Sequence, residues 1–347
     1  MSGASPEPLR VLVCDDSALI RGAISRILEG DPAIRVVARA SNGQQAVDTL
    51  RCTLVDVVVL DVEMPGMDGL TALPLLLEAK PAPRVLMASA LTTRGAETTL
   101  QALRLGAADC IAKPSALGAL GEGDFRRDLL SKIHALGRRA GRTGRSLSLR
   151  PMPRPMRPPQ LLAVGSSTGG PQALFSLVQG VGARLPVPVV ITQHMPVSFM
   201  PTLAQHLSRI GGMPCELAEA HAPLLPGRIY LAPGDRHLMV ERSGGALRAH
   251  LDDNPPLNFC RPSVDPLFDS AARATAGAVV LTMLTGMGQD GLNGTRGAVD
   301  AGAIAIAQDE ETSVVWGMPG AIARAGLCHA VLPLPQIAPR LLELLAR

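Results

Sequence analysis

Two α/β domains, each built on a doubly wound parallel sheet and joined by a Pro/Arg-rich linker, are predicted for this 347-residue chain. Three observations carry the prediction. The chain exceeds the roughly 250 to 300 residues at which single hydrophobic cores stop growing. Short β-branched runs alternate with helical stretches through both halves. A basic segment rich in Arg, Pro, Gly and Ser, with no apolar period, interrupts that alternation.

The first domain is placed at residues 9–125. RVLVC opens it, followed by a helix near Ser17–Glu29, the strand IRVVA, a helix near Asn42–Arg51, then VDVVVL, RVLMA and CIAKP. The linker is placed at 126–159. Residues 126–157 carry ten Lys/Arg against one acid, Asp128, so the net +3 of the chain leaves −6 for everything else. A nucleic-acid tether could use such a segment, but no aromatics are interleaved for stacking, and no helix-turn-helix follows. The second domain is placed at 160–347, opening with LLAVGSSTGGPQAL and continuing through VPVVIT and AVVLTMLTGMGQDG. Aromatics make up only 2% of residues against 47% hydrophobic, so both cores must be aliphatic.

The six cysteines are scattered, with no CxxC pair, and read as small buried hydrophobes in a reducing compartment. MSGASPEPLR lacks the basic cap and apolar run of a signal peptide, and no stretch of 18 apolar residues occurs. A cytoplasmic protein, without membrane insertion, is expected.

Parallel sheets gather ligands at the carboxyl ends of their strands. In the first domain those ends carry Asp15 and Asp16, Asp61, Ser89 and Lys113. Three carboxylates on one edge repel one another and call for a hard divalent cation, for which an all-oxygen set suits Mg²⁺. The plain alternative is helix caps and solvated loop acids; five matched positions weigh against it. VLVCDDS, VVVLDVEMPGMDGL, LMASAL and GAADCIAKPS together resemble the receiver domain of bacterial response regulators. The resemblance implies that Asp61 accepts phosphate from a histidine kinase. It also implies that Asp15, Asp16, Asp61 and the Glu63 backbone bind Mg²⁺, and that Ser89 and Lys113 sense the phosphoryl group. Cys110 stands where many receivers carry an aromatic switch residue.

In the second domain the glycine-rich turn GSSTGG follows a strand and opens a helix, as either a phosphate cradle or a serine nucleophile would require. There is no GxxxxGK[ST], no GxGxxG spacing and no acid about 20 residues on, so the phosphate reading fails. A serine needs a base, and His194 follows VPVVIT; the base needs an orienting carboxylate, and Asp290 follows AVVLTM. Taken singly, each is more simply a cap, a structural histidine or a turn; at three strand ends together they form a triad. Ser166 is the rival nucleophile, and His206, His221, His237 and His250 are rival bases.

The order Ser, His, Asp differs from the Ser, Asp, His of the α/β-hydrolases. GSSTGG, ITQHMP, YLAPGDRHL, RPSVDPLF, LTGMGQDG and VVWGMPG resemble, in order, the catalytic domain of chemotaxis protein-glutamate methylesterases. That resemblance makes Ser167 the nucleophile, His194 the base, Asp290 its orienter and the Met287 backbone N–H part of the oxyanion hole, with no cofactor in the esterase site. It implies phosphorylation-activated hydrolysis of glutamate γ-methyl esters on chemoreceptors, deamidation of receptor glutamines, and a chemotaxis histidine kinase as phosphodonor. A monomer is expected. The receiver is expected to restrain the esterase until Asp61 is phosphorylated. A non-catalytic adaptor gated by the receiver is the competing reading.

Overall fold

The computed structural model describes residues 7–90, 92–113, 122–137, 147–152 and 157–346. The chain divides into two compact units, Met1–Arg139 and Ala140–Arg347.

The first unit runs β1 (Leu9–Cys14), α1 (Ala18–Glu29), β2 (Ile34–Ala40), α2 (Gly43–Leu50), β3 (Val57–Asp61), α3 (Gly69–Leu77), β4 (Arg84–Ser89), α4 (Thr93–Arg104), β5 (Asp109–Ala112) and α5 (Glu122–Gly137). Its sheet has the order β2-β1-β3-β4-β5, with every pair parallel. Helix starts follow the polar residues after the strands: the side chains of Ser17, Asn42, Asp68 and Thr92 each accept a hydrogen bond from a first-turn N–H. The central strands are buried on both faces, with Val11, Leu12, Val57, Val58 and Leu86 fully enclosed. Each such side chain contributes roughly 1.5–3 kcal/mol of burial.

Helix α5 corrects the expected start of the linker. Residues 126–137 are helical, and the Arg-rich run that continues past them conceals an apolar stripe: Leu129, Ile133 and Leu136 recur at i, i+4 and i+7 and are buried. Lys132 on the same helix reaches the buried Asp109 carboxylate at 2.5 Å. Of the remaining linker, residues 138–146 and 153–156 lie outside the described residues. Arg150 belongs to the second unit, donating its N–H to Cys328 O at 2.8 Å.

The second unit runs β6 (Leu161–Ser166), α6 (Gly170–Val181), β7 (Val189–Gln193), α7 (Met200–Gly211), β8 (Cys215–Leu217), β9 (Ile229–Leu231), β10 (His237–Ser243), β11 (Ala246–Asp252), α8 (Val264–Thr275), β12 (Val279–Met283), α9 (Leu292–Asp300), β13 (Ile304–Gln308), α10 (Met318–Arg324), β14 (Ala330–Leu332) and α11 (Leu334–Leu345). The main sheet has the order β14-β13-β12-β6-β7-β9-β8, all parallel. An antiparallel hairpin, β10–β11, packs on α8. The chain moves outward from β6 in both directions, through β7 on one side and β12 on the other. The carboxyl ends of these strands therefore border the crevice where doubly wound sheets take ligands. The core is aliphatic as expected; Phe199 and Phe268 are the aromatics among its largest fully buried side chains.

Candidate functional sites

In the first unit, β1 and β3 are adjacent and parallel, so the acids at their ends meet. Asp15, Asp16 and Asp61 each place a carboxylate oxygen within 4.8 Å of the others. Lys113, just past β5, reaches Asp15 at 2.8 Å and Asp61 at 2.6 Å. Burial pushes the Asp61 carboxyl up to about 6, although the Lys113 hydrogen bond and charge oppose the rise. Burial also works against the Lys113 charge, yet its bonds to Asp15 and Asp61 outweigh this and raise it. The buried Asp15 Oδ2 has the Lys113 ammonium 2.8 Å away and no other donor among the described residues. An under-coordinated oxygen among three carboxylates fits a hard divalent cation.

Two predicted residues sit at the margin of this cluster. The Glu63 N–H donates to Asp61 Oδ1 at 3.4 Å, keeping that loop against the cluster. Ser89 lies at the end of β4, but its hydroxyl donates to the Gly95 and Ala90 carbonyls, at 3.2 and 3.3 Å, rather than to Asp61. Cys110 is buried in β5.

In the second unit, Ser167 follows β6, His194 follows β7 and Asp290 lies in the loop after β12. The two adjacent serines have different surroundings. Ser166 is fully buried, and its hydroxyl donates to Gln193 Oε1 at 2.6 Å. The Gln193 amide in turn donates to the Ser167 and His194 carbonyls, at 3.0 and 2.8 Å, tying the serine turn to the end of β7. Ser167 is 8% exposed, and its backbone N–H donates to Thr285 O at 3.0 Å. Gly286 packs so closely that a Cβ there would stand 2.9 Å from Ser167 Cβ.

His194 Nε2 lies 2.9 Å from Asp290 Oδ2, and its Nδ1 lies 3.5 Å from Cys260 Sγ. Among the described residues no hydrogen bond joins the Ser167 hydroxyl to His194. Asp290 is nearly inaccessible and heavily bonded: Ser263 Oγ donates at 2.6 Å, Val264 N–H at 2.7 Å, Gly291 N–H at 3.0 Å and Asn258 Nδ2 at 3.0 Å. Ser263 is the N-cap of α8, so the carboxylate also lies at that helix's positive end. Burial alone would raise Asp290, but the His194 bond and charge, then Ser263 and Val264, hold it down at about 2. Burial would lower His194; the Asp290 hydrogen bond, reinforced by Cys260, outweighs it and lifts the imidazole to about 10.

The Met287 N–H enters none of the hydrogen bonds of its turn among the described residues, whereas Gly286 N–H donates to Val315 O at 3.0 Å. Gly317 crosses the turn so closely that a Cβ there would meet the Gly286 and Gly288 backbone under 3.0 Å. The rival histidines are occupied elsewhere. His237 is buried, its Nδ1 accepting from Ser263 N–H at 3.0 Å; His206 packs near Phe175; His221 and His250 face Glu241.

Sequence reasoning did not assign roles to Gln193, Asn258, Cys260 or Ser263. The Ser263-x-Asp265 spacing could have signalled the N-cap of α8, but nothing local signals that the same hydroxyl donates to Asp290. No helix among the described residues is long and apolar enough to cross a membrane.

Comparison with known proteins follows the same division. Residues 162–341 match the CheB methylesterase family and residues 11–122 the response regulator receiver domain. The protein-glutamate methylesterase/protein-glutamine glutaminase of Azospirillum brasilense is 48% identical over 372 residues, covering 99% of this chain and 94% of its own length. The corresponding protein 2 of Caulobacter vibrioides is 51% identical over 338 residues, covering 95% and 97%. The crystal structure of the Thermotoga maritima CheB methylesterase catalytic domain matches with a TM-score of 0.53 at 36% identity, covering 54% of this chain and all of that one. A receiver sheet carrying an acid cluster, followed by a parallel sheet carrying serine, histidine and aspartate at three strand ends, thus has relatives along its whole length: the chain belongs to the protein-glutamate methylesterase/protein-glutamine glutaminase family, with an N-terminal receiver domain.

Proposed function

We propose that the chain hydrolyses glutamate γ-methyl esters, and deamidates glutamines, on methyl-accepting chemotaxis receptors under control of receiver phosphorylation. The observation that carries this reading is the pair of half-buried His194 and buried Asp290 at the sheet edge where Ser167 also lies, with the neighbouring Ser166 hydroxyl committed to Gln193. Ser167 Oγ attacks the ester carbonyl, and its proton passes through His194 to the departing methoxy group, which leaves as methanol. Water then attacks the acyl-serine carbonyl, giving its proton to His194, and Ser167 leaves with a proton returned from that imidazole. Apo sites commonly hold the nucleophile–base contact loose until substrate enters, which accommodates the resting placement of His194 on Asp290 and Cys260. The Met287 N–H stabilises the oxyanion in both steps. A carboxamide has nearly the shape of the ester, so glutamine follows the same course with ammonia leaving.

In the receiver, Asp61 takes the phosphoryl group from a chemotaxis histidine kinase. Asp15, Asp16, Asp61 and the Glu63 backbone would hold Mg²⁺, which would screen the carboxylate from the incoming phosphate. Lys113, already beside Asp61, is placed to pair with a phosphoryl oxygen, and Ser89 must turn from Gly95 to do the same. The test is methanol release from membranes carrying methylated receptors, with and without a phosphodonor. Ser167→Ala abolishes release while Ser166→Ala retains it; the reverse outcome reassigns the nucleophile, and no release from wild-type protein overturns the enzyme reading.

A further inference from the structure

We infer that the second unit carries a transition-metal site, separate from the triad, formed by His221, Glu241 and His250. The hairpin register places two of the three donors: Glu241 pairs with Arg248 and Met239 with His250, so Glu241 and His250 are diagonal neighbours on one face of β10–β11. The third comes from a segment running beside β11. His221 N–H donates to Ala249 O at 2.8 Å, Ala249 N–H donates to Ala222 O at 2.9 Å, and Pro223 bridges Arg248 antiparallel. His221 holds φ at +63°, an uncommon conformation for a residue with a side chain, and from there presents its ring to Glu241.

The carboxylate stands between the two imidazoles. Glu241 Oε1 is 3.1 Å from His221 Nδ1 and Oε2 is 3.7 Å from His250 Nδ1, and one donor atom from each of the three residues falls within 4.8 Å of the others. Two neutral imidazoles and one carboxylate suit a borderline divalent ion such as Zn²⁺, Co²⁺ or Ni²⁺, not the hard cation of the receiver. Drawing the donors onto one ion needs side-chain shifts of only about 1 Å for bonds near 2.0–2.1 Å. The three side chains are 37% to 70% exposed, so an ion can enter and water can complete its shell. Arg248, whose guanidinium donates to His221 O at 2.8 Å, places a positive charge nearby and makes the site weaker than a closed structural zinc site. Metal there would fasten the 221–224 segment to β10 across β11.

The test is titration of the untagged full chain with Zn²⁺ alone by calorimetry, with Mg²⁺ already saturating the receiver, and with Co²⁺ as a spectroscopic stand-in. One Zn²⁺ should bind outside the receiver, with a Co²⁺ spectrum of nitrogen and oxygen ligands and no thiolate band. His221→Ala and His250→Ala should each weaken binding at least about tenfold, Glu241→Gln should do likewise, and Zn²⁺ should raise the unfolding temperature of wild type but not of the double histidine variant. Esterase turnover of the metal-free variants should match wild type, showing that they fold. Absence of Zn²⁺ binding, or equal binding by wild type and the double variant, overturns the site; a thiolate band would place the ion on cysteine instead.

Discussion

Cys260 Sγ stands 3.5 Å from Nδ1 of His194, the ring nitrogen left over once Nε2 has turned to Asp290. A group attached to that sulfur would crowd the imidazole at Nδ1, the nitrogen that Asp290 leaves free to exchange a proton in the proposed reaction. Alkylation of the protein with a maleimide should therefore abolish methanol release. Cys260→Ala should keep turnover and resist the reagent, whereas Cys52→Ala, at an exposed position remote in sequence, should remain sensitive. Inactivation of Cys260→Ala at the wild-type rate would show that the thiol does not guard the ring.

Asp290→Asn tests how the base is held. An amide cannot accept at every position where Asp290 takes Ser263, Val264 and His194, and it leaves the wrong proton on the ring. A loss of about 10⁴ in kcat is expected, with KM little changed. The alkaline rise of kcat/KM should also move to lower pH, because the carboxylate that lifts His194 is gone. A profile that stays in place would separate Asp290 from the base.

The same pair makes a signed prediction for stability. Asp290 is depressed from 3.8 to about 2, so its contribution is present above 3.8 and is lost as pH falls through about 2. His194 is raised from 6.5 to about 10, so its contribution is full below 6.5 and is lost as pH rises through about 10. The difference in unfolding temperature between wild type and His194→Gln should thus be widest between pH 3.8 and 6.5 and narrow toward pH 10. A difference that does not vary with pH would mean the pair is not charged in the folded protein.

Asp61 behaves in the opposite sense. Its carboxyl is raised from 3.8 to about 6, so the stability of the neutral form is lost as pH rises through about 6, and the ionised group weighs on the first unit above that pH. Asp61→Asn should stabilise that unit at pH 8 by up to about 3 kcal/mol, with a smaller gain at pH 5. Chelation of Mg²⁺ should lower the unfolding temperature of wild type more than that of Asp61→Asn. Calorimetry of the two unfolding transitions checks both, and a destabilised Asp61→Asn at pH 8 would contradict them.

The residues legible in the sequence share one property: they terminate buried parallel strands. Residues 57–60 and 279–281 announce themselves as unbroken apolar runs, and the polar residues after such runs lie toward one edge, which makes Asp61, Ser167, His194 and Asp290 recognisable. Other contributors have no such marker. Asn258 and Cys260 lie in a loop before α8, where no period fixes direction. Ser89 ends β4 as its sequence context predicts, but the direction of its hydroxyl depends on Gly95, a residue of α4. Helix α5 is hidden by the charge that follows it, since seven of the ten basic residues over 126–157 lie beyond Gly137 and merge with the helix's own three, obscuring three buried aliphatics at helical spacing.

Asp290 accepts from the Val264 N–H at the first turn of α8 while it steadies His194. Under the proposed triad, competence and completion of that helix mature together, so a chain with an unravelled α8 should be silent rather than indiscriminate. Variation that tunes the hydrolase has little freedom at position 290, where each change disturbs both tasks. The rim is freer at Cys260, whose side chain meets the imidazole of His194 and takes no part in bonding Asp290.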